Sequence, residues 1–171
     1  VRREGDSITV DKMPNKDANV RPLGEQIATG ETALEKGMLL NEASIAFLVG
    51  LGIDKVAVYK APKVSVLVTG NELQQPGKEL KEGQVYESNS VALKLALNRI
   101  GIKKVKISRV EDDLKSTTRA VEKCLKNSDL VLISGGISVG DYDFVKQALE
   151  NNEVEAIFYK VNQRPGKPLW F

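Results

Sequence analysis

The chain has 171 residues, of which 42% are hydrophobic and 28% charged, so it is long enough for about one domain and can bury a core. Its 25 basic and 23 acidic residues leave a net charge of +2, which gives no electrostatic reason to expect nucleic acid or an anionic membrane as a partner. Histidine is absent, which excludes a Ser-His-Asp triad, a Cys-His dyad and His-ligated zinc. The chemistry that is left belongs to carboxylates, hydroxyls, lysine, arginine and the backbone.

Cys124 is the only cysteine, so an internal disulfide and a thiolate metal cluster are excluded, and we expect a cytoplasmic protein. Cys124 lies on the apolar face of its predicted helix, which indicates a core position and not a nucleophile. No apolar run approaches the roughly 18 residues that span a bilayer. The chain starts at Val1 and stops on an apolar string at 168–171 that is typical of an interrupted strand, so we expect a piece of a longer protein.

Residues 1–61 predict only part of a flanking, elongated α+β domain. Two short extended pieces, at 8–10 and 20–22, surround a turn-rich segment. Asn41 is a suitable N-cap for a helix at about 41–51, which a glycine at 52 would end. A strand is expected at 56–59, and we place a domain boundary near residue 61.

From residue 62 to 171, predicted strands and helices alternate. The apolar patterns predict strands at 64–68, 104–108, 130–133 and 156–159, and helices at 88–97, at 114–125 and from Asp143 to about Leu149. This β-α-β-α-β-α-β order predicts an α/β fold with a mostly parallel sheet and helices on both faces.

Ligands of open α/β sheets collect at the carboxyl ends of the strands, so the loops that follow the strands are the places to search. Three loops stand out, at 69–73, 134–141 and 162–168. Together they carry carboxylates, glycines and two cations to one edge of the sheet. A magnesium-assisted site for a phosphorylated ligand requires this combination.

The second loop has the composition of an anion-binding nest. Its glycines permit close approach of the backbone to a phosphate, and Ser134 and Ser138 add hydroxyl donors. The sequence matches neither a Walker A loop nor the dinucleotide GxGxxG motif. A tight strand-to-helix turn without a ligand is the alternative. Asp141 closes the loop, whereas Asp143 has the further explanation of a helix cap.

The other polar residues also have two explanations each. Glu72 could hold a divalent cation or a polar ring edge, or be solvated. Asp112 and Asp113 precede a helix, and an N-cap accounts for at least one of them. Arg164 and Lys167 suit a phosphate or an oxyanion, and a solvated basic turn is the alternative.

Four motifs, in this order, resemble those of the molybdopterin molybdotransferase family, which includes the E domain of gephyrin: VLVTGNEL at 66–73, YESNS at 86–90, SGGISVGDYD at 134–143 and RPGKP at 164–168. The likeness begins at residue 19. It implies a molybdopterin-binding domain at 62–171 that is truncated at its C-terminus.

The resemblance implies a reaction in molybdenum cofactor biosynthesis. Molybdate would be inserted into the dithiolene of adenylylated molybdopterin, with magnesium as cofactor and release of AMP. Three alternatives stay open: a molybdopterin adenylyltransferase-like nucleotide transfer, a gephyrin-like scaffold without enzymatic activity, and a relative that binds another nucleotide.

The resemblance also implies roles for individual residues. Acidic residues expected in catalysis are Glu72, Asp112 and Asp141, and Glu72 and Asp112 would also bind the metal. Asp112 would then serve both as a cap and as a site residue. The residues expected to bind the pterin, its phosphates or the oxyanion are Thr69, Gly70, Asn71, Ser134, Gly135, Gly136, Ser138, Asp143, Lys160, Arg164, Pro165, Gly166 and Lys167.

Two positions depart from the family pattern. Gln26 stands where an Asp is common, and it cannot supply a charge to a metal or a water. Arg164 stands where a Lys is usual. Family members also have further chain on both sides and complete their site across a homodimer interface. We therefore expect the isolated chain to turn over poorly, and we expect a molybdopterin adenylyltransferase as a further partner.

Overall fold

A computed structural model describes residues 1–136 and 144–171, and the chain divides into two compact units, Val1–Val58 and Tyr59–Phe171. None of the helices in these described ranges is both long and apolar enough to cross a membrane. The elements of the described chain are β1 (Arg2–Glu4), β2 (Ser7–Thr9), α1 (Glu42–Gly50), β3 (Val64–Thr69), β4 (Leu73–Gln74), β5 (Val85–Tyr86), α2 (Asn89–Arg99), β6 (Val105–Val110), α3 (Leu114–Asn127), β7 (Leu130–Ser134) and α4 (Phe144–Glu150).

The first unit contains one hairpin and one helix. β1 and β2 pair antiparallel around Gly5, so the predicted extended piece at 8–10 pairs with the preceding strand and not with 20–22. α1 begins after Asn41, whose Oδ1 accepts a hydrogen bond of 2.9 Å from the Ser44 N–H, as the capping pattern predicts. The strand expected at 56–59 does not form, and the piece at 20–22 pairs with no other segment, because a ladder needs a neighbouring strand and the described residues supply none to either.

The second unit is built on a parallel sheet in the order β6-β3-β7. Val64, at the start of the central strand, is level with Val105 on one side and Leu130 on the other. Every residue of β3 is buried, so this β-branched run is the central strand and is covered on both faces. The continuous apolar run at 130–133 would suit a central strand, but it forms β7, an outer strand of the sheet. The structure therefore confirms the predicted parallel α/β arrangement.

The alternation of side chains along β3 fills two separate cores. On one face, Val64, Val66 and Val68 pack with Leu97 of α2. On the other face, Leu67 packs in a cluster built mainly from α3 and α4. Helices therefore cover both faces of the sheet, which confirms the prediction made from the strand and helix order. The expected cap of α4, Asp143, lies outside the described residues.

The strand predicted at 156–159 does not join the parallel sheet. Residues 157–161 instead run antiparallel to 167–171 through backbone hydrogen bonds, with a single bridge between Tyr159 and Trp170. Lys160 adopts a positive φ of 67°, which interrupts the extended backbone that a longer strand needs. Trp170 packs against the core cluster of α3 and α4, so this C-terminal hairpin is anchored to the second unit.

Candidate functional site

The carboxyl ends of β3 and β6 are joined by side-chain hydrogen bonds. Thr69 is the last residue of β3 and is fully buried, and its hydroxyl donates to Asp112 Oδ1 over 3.1 Å. The backbone N–H of Asp112 in turn donates to the side-chain oxygen of Asn71 over 3.2 Å. The two strand-end loops therefore hold each other in place, and predicted site residues from separate parts of the chain lie together.

Glu72 folds back over the end of β3. Gly70 has a φ of 143°, and a Cβ atom built on it would lie 2.8 Å from Glu72 Oε1. Only glycine leaves room for the carboxylate in this position. The Glu72 carbonyl accepts a 2.9 Å hydrogen bond from the Val85 N–H, which fixes the turn. Among the described residues, the exposed Glu72 carboxylate has no hydrogen-bond or ion-pair partner, so it is free to bind a cation.

The loop after β7 touches the end of β3 through two glycines. Gly135 and Gly136 have φ values of 97° and 66°. A Cβ atom on Gly135 would overlap the carbonyl oxygen of Thr69, and one on Gly136 would overlap Val145 of α4. The backbone of this loop therefore approaches the strand end more closely than any other residue type would permit.

The first turn of α2 contacts the end of β7. Asn89 Nδ2 donates a 2.9 Å hydrogen bond to the hydroxyl oxygen of Ser134. Glu87 accepts from the N–H of Ser90 over 2.7 Å and from its hydroxyl over 2.6 Å, and so replaces the missing side-chain cap of Ser88. Sequence reasoning assigned no role to Asn89 or Glu87. The available signal was the YESNS motif at 86–90, which contains both residues.

The two neighbouring aspartates have different roles. Asp113 caps α3, because its Oδ1 accepts a 2.9 Å hydrogen bond from the Ser116 N–H. This hydrogen bond is the main reason that the pKa of Asp113 lies below its usual value of 3.8. Asp112 is not the cap, so the expectation that it serves as both cap and site residue is wrong in its first half. Its side chain turns toward Thr69 instead.

The described residues do not contain a group of three or more acidic, histidine or cysteine side chains that could enclose a metal ion. Magnesium, however, commonly uses only one or two carboxylates together with water and substrate phosphates. Glu72 and Asp112 supply hard oxygen ligands of this kind, and Asp112 uses only its Oδ1 in the hydrogen bond from Thr69. The donor chemistry therefore fits an ion shared with a phosphorylated ligand.

The third predicted loop lies in the C-terminal hairpin. Gly166 has a φ of 108°, and the Lys160 Nζ lies 4.8 Å from the centre of the Tyr159 ring. Arg164, Pro165 and Lys167 are exposed. Within the described ranges, no hydrogen bond or ion pair connects this loop to the strand-end residues, so its role in the site stays a prediction. Ser138, Asp141 and Asp143, which the sequence also placed in the site, lie outside the described residues.

Comparison with known proteins identifies the class to which this fold and strand-end site belong. Residues 65–171 match a family model described as a probable molybdopterin binding domain, and the chain belongs to this family. Over 168 residues, or 98% of its length, the chain is 36% identical to a molybdopterin molybdenumtransferase of Haemophilus influenzae. It is 33% identical over 161 residues to the protein of the same name from Staphylococcus aureus strain MRSA252.

Two solved structures agree with this assignment. The molybdopterin biosynthesis moea protein of Pyrococcus horikosii superposes with a TM-score of 0.67 and 35% identity, covering 86% of this chain and 36% of that one. A molybdenum cofactor biosynthesis protein of Pyrococcus furiosus superposes with a TM-score of 0.60 and 28% identity. This match covers 86% of this chain and 43% of that one. The chain spans only 41% and 38% of the two curated relatives, so it corresponds to a part of those proteins.

Proposed function

We propose that the chain acts in molybdenum cofactor biosynthesis, as the ligand-binding part of a molybdopterin molybdotransferase. The reaction would insert molybdate into adenylylated molybdopterin and release AMP. The observation that carries this proposal is the meeting of Thr69, Asp112, Glu72 and Ser134 at one edge of the sheet, within a chain whose relatives bear that name. Carboxylates at the strand ends and a close backbone approach are what a phosphorylated ligand with magnesium needs.

The phosphate part of the ligand would lie against the loop after β7. Asn89 donates to the oxygen of Ser134, which leaves the hydroxyl hydrogen of Ser134 free to donate to a phosphate oxygen. Gly135 and Gly136 carry no side chains that would keep the phosphate away from the backbone. We assign Ser138 and Asp143 to the same loop, and Lys160, Arg164 and Lys167 to the phosphates or the oxyanion, on the basis of the family resemblance.

Glu72 and Asp112 would hold magnesium, with Asp141 as a third acidic residue of the reaction. When bound, the ion supplies positive charge next to the phosphate oxygens while the adenylate is released. The Thr69 hydroxyl orients Asp112 by donating to Oδ1, and Gly70 allows the Glu72 carboxylate to lie above the strand end. Thr69 and Gly70 therefore position the carboxylates and need not contact the ligand.

The proposal includes the setting of the reaction. The full-length protein would work as a homodimer in the cytoplasm, and a molybdopterin adenylyltransferase would supply its substrate. Since the chain spans about two fifths of its curated relatives, we expect it to bind ligand but to turn over poorly by itself. A steady-state assay of cofactor formation that gave full activity for the isolated chain would contradict this expectation.

Anaerobic calorimetric titration with adenylylated molybdopterin, with and without magnesium, tests the proposal. We expect binding that requires magnesium and that weakens at least tenfold in Glu72→Ala, because a charged ligand oxygen is lost. Glu79→Ala is the matched control, since Glu79 is an exposed glutamate of the same unit without a described partner. Equal binding by Glu72→Ala and Glu79→Ala, or binding that is indifferent to magnesium, would overturn the proposal.

A further inference from the structure

A groove of about 380 Å³ lies between the outer strand β6 and helix α3. One of its lining residues, Arg109, donates a 3.5 Å hydrogen bond to the Gly70 carbonyl, so one end of the groove adjoins the strand-end site. The groove is lined from the sheet by Ser65, Lys106, Ser108 and Arg109, and from α3 by Ala120, Lys123, Cys124 and Asn127. We call it the β6 groove. Ala120, Lys123 and Cys124 follow one another at helical spacing and therefore share one face of α3.

The groove exists because the two outer strands of the sheet differ at equivalent positions. Ser65 is level with Lys106 of β6 and with Val131 of β7, and Leu67 is level with Ser108 and with Ile133. Val131 and Ile133 pack against the core cluster under α3 and α4. On the other side of β3, Lys106 and Ser108 do not fill the corresponding space, and a groove results.

The charge of the groove selects the kind of ligand. Three cations, Lys106, Arg109 and Lys123, line it, and no carboxylate occurs among its described lining residues. The ion pairs of the described chain include neither of these lysines, whereas Lys126, one turn along α3, is paired with Glu122. Two ammonium groups without a balancing charge next to hydroxyl groups favour an oxyanion, and lysine is a common phosphate ligand.

The remaining surface of the groove suits an organic group. Ala120 and the buried Cys124 provide an apolar patch, and the volume is larger than a single phosphate needs. It lies within the range of about 300–1,000 Å³ that is typical of small-molecule sites. The geometry points to the β6 groove as a second binding site, for a phosphorylated small molecule whose phosphate contacts Lys106 and Lys123 and whose organic part lies on Ala120 and Cys124.

NMR titration of the ¹⁵N-labelled chain with phenyl phosphate tests this proposal. We expect saturable shifts at the amides of Lys106, Ser108, Ala120 and Lys123. Lys106→Gln and Lys123→Gln should each weaken binding about tenfold or more, since each removes a hydrogen bond to a charged group. Lys126→Gln, on the same helix but outside the groove, is the control and should bind as the parent chain does. Titration with phenol should give no comparable shifts, because the phosphate is missing.

Three results would overturn the proposal. One is the absence of shifts in the groove at millimolar phenyl phosphate, or shifts confined to 69–72 and 134–136, which would assign the phosphate to the strand-end site alone. Another is an equal loss of affinity in Lys126→Gln. The last is a result showing that Lys106 only prevents the outer strand β6 from pairing with other chains. In that case Lys106→Gln would promote self-association and leave phenyl phosphate binding unchanged. Lys123 lies on α3 and not on β6, so Lys123→Gln tests the phosphate contact without altering the edge of the sheet.

Discussion

The two ends of the parallel sheet use similar polar residues in different ways. At the amino end, Asp129 Oδ2 accepts a 2.8 Å hydrogen bond from the backbone N–H of Lys63, and the hydroxyls of Ser65 and Ser128 bind each other over 2.5 Å. At the carboxyl end, Asp112 binds the hydroxyl of Thr69. Glu72, at the same end, has no partner among the described residues.

This difference separates structural carboxylates from available ones. Asp129 and Asp113 each accept from a backbone N–H that would otherwise lack a partner, so their main effect is on folding. Asp112 instead binds a side-chain hydroxyl, and Glu72 lies beside Gly70 without a described partner. The group that donates to each carboxylate therefore distinguishes structural from available carboxylates better than the residue type does.

The largest effect is expected from Gly135→Ala at the carboxyl end. The new Cβ would overlap the Thr69 carbonyl, and the residue would also be held at a φ of 97°. We expect a loss of roughly 2–5 kcal/mol in the free energy of unfolding, from overpacking and backbone strain together. Urea unfolding measures it. Gly77→Ala is the control, because Gly77 has a φ of 87° but no atom within 4 Å of its Cβ position. A similar loss in both variants would show that the close approach to Thr69 contributes nothing.

The next test compares one alanine variant at each end of the sheet. Asp129→Ala should lower the free energy of unfolding by about 1–2 kcal/mol, because a backbone N–H loses its acceptor, and should leave ligand binding unchanged. Asp112→Ala should weaken magnesium-dependent ligand binding and should also lower the free energy of unfolding by about 1–2 kcal/mol, because the buried Thr69 hydroxyl loses its acceptor. Urea unfolding and calorimetric titration give the free energy of unfolding and the ligand affinity of each variant. The comparison fails if Asp129→Ala impairs ligand binding as much as Asp112→Ala does.

A smaller effect is expected at the N-terminus of α3. The hydrogen bond from Ser116 lowers the pKa of Asp113 below 3.8, so Asp113 stabilises the fold above that pH. The stabilisation is lost as the pH falls through the lowered pKa of the folded state. Asp113→Ala should therefore lower the Tm at pH 7 and lose this effect at strongly acidic pH. Asp113→Asn, which can still cap the helix, should retain most of the stability at pH 7. An equal drop in Tm for Ala and Asn would show that capping is not the cause.

The sequence predicted the strands and helices whose residue pattern shows which faces are buried. β3 is rich in β-branched residues, and its burial on both faces agrees with that pattern. The segments 56–59 and 156–159 are also apolar, but a strand needs a neighbour, and the sequence does not reveal where the neighbour is. The latter segment pairs with the end of the chain and not with the sheet.

The same limit applies to the candidate site. Loops that follow parallel strands could be predicted to meet, and Thr69, Asn71 and Asp112 do so. The sequence offered two adjacent aspartates as caps of α3, and the structure assigns the cap to Asp113. Asn89 was not assigned to the site because it begins α2 and lies outside the three strand-end loops that the sequence pointed to.

The central claim is that ligand binds at the carboxyl end of the sheet and leaves the amino end unaffected. Amide hydrogen exchange of the chain with adenylylated molybdopterin and magnesium, under anaerobic conditions, tests it most directly. We predict added protection at 69–72, 111–112 and 134–136, and none at Lys63, Ser128 and Asp129. Protection at the amino end, or none at the carboxyl end under conditions in which calorimetry detects binding, would contradict the account.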